Sequence, residues 1–222
     1  CAGRILLHRA LEIGAVLGQA AKAGYSLGFV TLTMRHDRSD SLEGCFSAVS
    51  KAWGAATSGK GWVADQVGTV AGWVRVWEVT HSERNGWHVH AHCVLVLEDG
   101  ATAEDLDRVA SAMYGRWERS LVRQGFRAPL RRAQDWQLVT GQAAAERVAK
   151  YLADLSKGPD WSEAGKSLGL ELTHSMPGRS QEGHSTRPVW ALLDDMVETG
   201  EVGRWREWER ASKGRRQVGW SK

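Results

Sequence analysis

Apolar residues recur at three- and four-residue intervals through Leu6, Leu7, Ala10, Leu11, Ile13, Val16, Leu17 and Ala20. That spacing predicts an amphipathic helix over residues 4–23, stopped by Gly24. The period then shortens. Leu27-Gly28-Phe29-Val30-Thr31-Leu32-Thr33-Met34 is β-branched and aromatic enough to read as a strand. Arg35-His36-Asp37-Arg38 follows as loop, and Ser41-Leu42-Glu43 opens a helix to about Ala56. Residues 57–60 are rich in Gly and Ser and read as loop. Trp73 to Thr80 is a second strand, which turns through Ser82-Glu83-Arg84-Asn85-Gly86 into a third over residues 86–97; Asn-Gly is a strong hairpin signal. Thr102-Ala103-Glu104-Asp105 caps a long helix to about Gln124. Residues 134–140 form a short strand and residues 142–155 a helix.

The order from 27 to 155 is β-α-β-β-α-β-α, and its first six elements match the split βαβ, ferredoxin-like arrangement. An α+β fold is therefore expected, with a central antiparallel sheet covered by helices on one face and free for a ligand on the other. Beyond Leu155 the Gly, Pro and Ser content rises around Gly158-Pro159. A strand over 168–173, a helix over 189–198 entered through Pro188, and a tryptophan-bearing helix over 203–212 are expected there. The organisation is thus an N-terminal helix (1–26), a core (27–157) and a C-terminal extension (158–222) with additional helices.

The third strand carries the first candidate chemistry. His88, His90 and His92 alternate with Val89 and Ala91. Because a strand has period two, the three imidazoles share one face. Two imidazoles one strand repeat apart are a half-formed metal site, since the backbone fixes both ligand directions in advance. If the hairpin turns near Arg84, Glu78 lies opposite His90 and adds a carboxylate to the same side. A mixed set of this kind suits Mn²⁺ or Mg²⁺ in a Lewis-acid role, with Zn²⁺ also compatible. His88 shares the face and competes with Glu78 as third ligand. His36 and His81 read as loop histidines.

A second group lies at Glu146-Arg147-Val148-Ala149-Lys150-Tyr151-Leu152-Ala153-Asp154. On a helix Tyr151 shares a face with Arg147 and Asp154. A tyrosine can act as a nucleophile, and Arg147 can lower its pKa or hold a phosphate. Lys150, adjacent to it, is a further phosphate contact. The chain's other tyrosines, Tyr25 and Tyr114, have no such basic helical neighbourhood.

Composition adds limits. The 222 residues are 42% hydrophobic and 25% charged, which describes an ordinary globular protein with a sizeable core. No apolar run reaches the roughly 18 residues of a membrane span. A net charge of +3 permits a polyanionic partner without requiring one. Arginines from Arg108 to Arg132 and the Lys213-Gly214-Arg215-Arg216 cluster are candidate backbone contacts, and Trp73 and Trp87 candidate stacking platforms for bases. Three scattered cysteines speak against a disulfide scaffold and for a reducing compartment such as the cytoplasm. The numbering starts at a cysteine and stops in what reads as mid-strand, so both ends are expected to be cuts within a longer protein.

Phe29-Val-Thr-Leu-Thr33, the pair His90-Ala91-His92, and Val148-Ala-Lys-Tyr151 occur in the order of the three motifs of HUH endonucleases. With Trp77-Glu-Val-Thr80 and Gly86-Trp-His88 as flanks, the whole chain resembles a rolling-circle replication initiator of actinobacterial plasmids. The resemblance implies His90 and His92 as paired metal ligands. It also implies Tyr151 as the nucleophile that cuts single-stranded DNA at a double-strand origin and keeps the 5′ end as a phosphotyrosine. The freed 3′-hydroxyl then primes synthesis, with host helicase and polymerase as partners, in the bacterial cytoplasm. It suggests an upstream Cys-x-x-Cys segment ending at Cys1. One departure is notable: where some relatives place a glutamate four residues before the tyrosine, this chain has Arg147, with Glu146 one residue earlier. A relaxase or transposase of the same chemistry, a non-catalytic ferredoxin-like nucleic-acid binding module, and a zinc hydrolase are the alternatives. A protein–DNA adduct separates the first two from the others.

Overall fold

The structure is a computed structural model that describes residues 2–140, 187–200 and 202–221. Its elements in chain order are α1 (Ala2–Lys22), β1 (Ser26–Thr33), α2 (Leu42–Ala56), α3 (Gly59–Gln66), β2 (Val70–Ser82), β3 (Gly86–Leu97), α4 (Ala103–Arg123) and β4 (Asp135–Val139), followed by β5 (Arg187–Pro188), α5 (Val189–Thr199), α6 (Gly203–Ser212) and β6 (Val218–Trp220). The sheet order is β4-β1-β3-β2-β5, every neighbouring pair antiparallel, with β6 also pairing along the outer edge of β2. β1 and β3 are central, and the order 4-1-3-2 is that of the ferredoxin-like split βαβ unit. The fold is α+β, as the sequence predicts.

Local chemistry explains most boundaries. Ser41 caps α2 by accepting from the Gly44 amide at 3.1 Å, and Thr102 and Asp105 form a reciprocal capping box on α4. Gly24 takes a φ of +98° after α1, a left-handed conformation that glycine adopts without steric cost. Residues 57–60 depart from expectation. Gly59 opens the short helix α3 instead of continuing a loop, because Trp62 on that helix has an apolar site to fill and is buried in the core. The helix expected over 142–155 and the strand expected over 168–173 fall outside the described residues.

Period-two alternation divides the sheet. Trp87, Val89, Ala91, Cys93, Leu95 and Leu97 of β3 enter the main core with Phe46, Val49 and Trp53 of α2 and Val109, Met113 and Trp117 of α4. The opposite face is not wholly free, which corrects the sequence expectation. Ile13, Leu17 and Ala21 of α1 pack there on Leu27, Val74 and Val94, at the end of the sheet away from the histidines. An amphipathic helix needs an apolar surface, and the valine-rich end of that face supplies one.

The C-terminal elements join the same core. Leu192 of α5 and Ala211 of α6 are buried in it, and Glu207 of α6 accepts from the Leu42 amide at 3.0 Å, a carboxylate at the N-terminus of α2. Arg75 of β2 is buried with its guanidinium 4.1 Å from the Trp77 ring centroid. It donates to the carbonyls of Gln217 (3.2 Å) and Arg216 (3.4 Å), which fixes the approach to β6. Burial lowers its pKa to about 10.

Trp117 links the two layers, donating from its indole nitrogen to the Thr33 carbonyl at 2.8 Å. Trp117→Phe removes that donor and leaves a small void, so it is expected to cost about 2–3 kcal/mol in urea unfolding. A loss below about 1 kcal/mol would show that the bond contributes little.

Candidate metal centre

The hairpin register decides which side chains meet. Ser82 pairs with Gly86 across a turn of Glu83, Arg84 and Asn85, and from there Thr80 faces His88, Glu78 faces His90 and Val76 faces His92. Gly86 has a φ of +73°, and a Cβ there would lie 3.0 Å from the Arg38 Cα, so glycine is required at the corner. On the other side of β3, Thr33 faces His90 and Thr31 faces His92. The expected pairing of Glu78 with His90 is the observed one.

Glu78, His90 and His92 each present one ligand atom, and these three atoms all lie within 4.8 Å of one another. His92 Nε2 and Glu78 Oε2 are 2.9 Å apart, and the His90 and His92 rings are nearly parallel at 9°, with centroids 5.9 Å apart. His92 is buried at 4% exposure, whereas the Glu78 side chain keeps 28%, so the group opens to solvent on the carboxylate side. A ring nitrogen and a carboxylate oxygen at 2.9 Å require something positive between them, a proton or a cation. The donor set is two imidazoles and one carboxylate on a rigid sheet. It fits a first-row or alkaline-earth divalent ion with further positions left for water or substrate.

His88 lies beside this group, its ring 3.8 Å from His90 and 4.4 Å from His36. His36 is in a loop as expected, and its Nδ1 donates to the Asn85 carbonyl at 3.0 Å. His81, by contrast, lies within β2, edge-on to Trp87. Burial, followed by repulsion from neighbouring histidines, lowers the His88 pKa to about 2 and that of His90 to about 3. Both rings are therefore neutral near pH 7, the form that binds metal.

Of the other sequence-predicted residues, Tyr151, Lys150 and Arg147 lie outside the described residues. Trp87 is 3% exposed on the helix-covered face, and Trp73 packs edge-on to Trp53, so both serve the core instead of offering stacking platforms. The arginine tract sits largely on α4, across the sheet from the histidines, and much of it is engaged. Arg116 pairs with Asp65 at 2.5 Å, Arg108 donates to Thr69 at 2.9 Å, Arg127 pairs with Asp37 at 3.5 Å, and Arg131 stacks on Trp136 at 3.7 Å. Thr31, whose Oγ1 is 3.2 Å from His92 Nδ1, is the contact that sequence reasoning missed. Its signal, a hydroxyl on the strand pairing with β3, has meaning only once that register is known.

A family model described as replication protein matches residues 4–117. The chain belongs to the replication protein family. The matched span includes β1, the hairpin, and Glu78, His90 and His92. A curated relative named Protein rep, from Streptomyces lividans, is 25% identical over 283 aligned residues, covering 100% of this chain and 60% of that protein. The chain thus spans about three fifths of the length of that relative. No solved structure matches.

The depressed histidine pKa values make acid stability a test of this family member's site. In the unfolded chain both rings titrate near their ordinary value of 6.5, whereas the fold holds His88 and His90 unprotonated. Above pH 6.5 neither state gains from them. As pH falls below 6.5 the unfolded state takes up protons that the folded state refuses, so stability drops by up to about 1.4 kcal/mol per pH unit for each ring. In metal-free buffer the denaturation midpoint should fall from pH 6.5 to pH 5, and His88→Gln should flatten part of that slope. Equal slopes for the two proteins would contradict the placement of His88.

Proposed function

We propose that the protein is a metal-dependent HUH endonuclease that nicks single-stranded DNA at a plasmid origin and starts rolling-circle replication. The observation that carries this reading is the convergence of Glu78, His90 and His92 on the open face of a ferredoxin-like sheet. Membership of the replication protein family supports it, as does the order of the three sequence motifs. Among the described residues no helix is long and apolar enough to cross a membrane. In this reading the protein acts in the bacterial cytoplasm beside host helicase and polymerase.

In this reading Glu78, His90 and His92 hold Mn²⁺ or Mg²⁺. When bound, the ion acts as a Lewis acid toward the scissile phosphodiester. The neutral rings of His88 and His90 add no positive charge that would oppose loading. The Tyr151 phenolic oxygen forms a bond to phosphorus as the bond from phosphorus to the 3′-oxygen breaks, and the phenolic proton ends on the departing 3′-hydroxyl through solvent. The 5′ end stays on Tyr151 as a phosphodiester, and a second transesterification by a 3′-hydroxyl restores the strand and frees the tyrosine. Lys150 and Arg147, close to Tyr151 in sequence, neutralise the phosphate.

The test is a covalent-adduct assay with a randomised single-stranded DNA pool and the parent plasmid's origin, with Mn²⁺ and with chelator, resolved under denaturing conditions. A chelator-sensitive adduct mapped by mass spectrometry to Tyr151 is expected. It should be abolished in Tyr151→Phe and reduced by about two to three orders of magnitude in His92→Ala. Cleavage without adduct would indicate a hydrolase, and binding with neither would indicate a non-catalytic module.

A further inference from the structure

The His92 ring is held from both sides. Its Nε2 meets Glu78 Oε2 at 2.9 Å, and its Nδ1 meets Thr31 Oγ1 at 3.2 Å. Thr31 lies directly opposite His92 in the β1–β3 ladder, so this contact is fixed by backbone pairing. The neighbouring Thr33, two residues on and facing His90, is committed elsewhere. Its amide donates to Gln134 Oε1 at 2.7 Å, its hydroxyl accepts from Gln134 Nε2 at 3.0 Å, and its carbonyl accepts from Trp117. Of these two threonines on one face, only Thr31 meets a member of the donor group.

We infer that Thr31 is a positioning residue that fixes the His92 ring and, when an ion is bound at Nε2, accepts from Nδ1–H and so supports the metal-binding tautomer. This rests on the reading of Glu78, His90 and His92 as metal ligands. A hydroxyl suits the place better than a carbonyl or carboxylate because it both donates and accepts. With no ion, Nε2–H donates to Glu78 and the Thr31 hydroxyl donates to Nδ1. With an ion at Nε2, that proton is lost to solvent, a proton from solvent occupies Nδ1, and Nδ1–H donates to the turned Thr31 hydroxyl. The ring is neutral in both states and no proton is released overall. His92 is buried, so without this partner a ring nitrogen loses its hydrogen bond, and the loss is greater in the metal-bound state, where the ion polarises Nδ1–H and strengthens its bond to the hydroxyl.

The experiment measures Mn²⁺ binding by calorimetry for the wild-type chain, Thr31→Val and Thr31→Ser. Valine keeps the shape and strand preference of threonine and removes the hydroxyl; serine keeps the hydroxyl. Roughly 10- to 100-fold weaker binding in Thr31→Val is expected, with Thr31→Ser within about threefold of wild type, on the order of a small packing change. With diamagnetic Zn²⁺ bound, the His92 Nδ1–H proton should be shifted downfield and slow to exchange in wild type and Thr31→Ser, and should lose both features in Thr31→Val, a readout that a purely structural threonine would not move. Equal affinity of Thr31→Val and wild type, or an Nδ1–H signal unchanged by Thr31→Val, overturns the role of Thr31 and leaves the metal site standing. A wild-type chain that binds no Mn²⁺ overturns the metal site and this inference together.

Discussion

Antiparallel pairing on both sides of β3 is the constraint on which the rest depends. β3 is bonded to β1 along Ser26–Thr33 and to β2 along most of its length, so its side chains have no freedom of register. A slip of one residue on either ladder would carry Glu78 or Thr31 to the helix-covered face and bring Trp77 or Leu32 out of it. The apolar faces of those strands enforce the alignment. Leu32, Ala91, Leu95 and Trp77 are all buried against α2 and α4, and exposing them would cost several kcal/mol. The metal-ligand geometry is thus stabilised by packing on the opposite side of the sheet, and the polar group need not fold itself.

The second face shows a division of labour along the same strands. Val94 and Val96 follow His92 on β3 and lie with α1, while the residues before Val94 carry the imidazoles. α1 closes the apolar end and leaves the polar end accessible. The C-terminal elements brace the outer edge of β2 at two points, β5 at Thr80 and His81 and β6 at Val74 to Val76, so the strand that bears Glu78 is not a free edge. An open edge would be prone to twist and to foreign pairing, and a ligand carried on it would be poorly fixed.

Charge is distributed in the same spirit. The ion pair of Arg116 with Asp65 fastens α4 to α3, and that of Arg215 with Glu43 fastens the segment after α6 to α2. The arginines of α4 thus lie behind the sheet, on the side away from the histidines.

By itself, the sequence determined the order of β1, α2, β2, β3, α4 and β4, the α+β class, the shared face of His88, His90 and His92, and the position of Glu78 opposite His90. All of these follow from short-range rules: period two in strands, caps at helix starts, and an Asn-Gly turn that sets a hairpin register from a few adjacent residues. The motif order also pointed to the replication protein family. Tertiary structure alone decided the partners from distant segments. Thr31 is 61 residues from His92, α1 was free in principle to pack anywhere, Trp62 drew residues beyond Gly59 into a helix, and Trp73 and Trp87 went inward. Such choices depend on which apolar surfaces meet across the whole chain, a long-range competition for burial that no local period encodes.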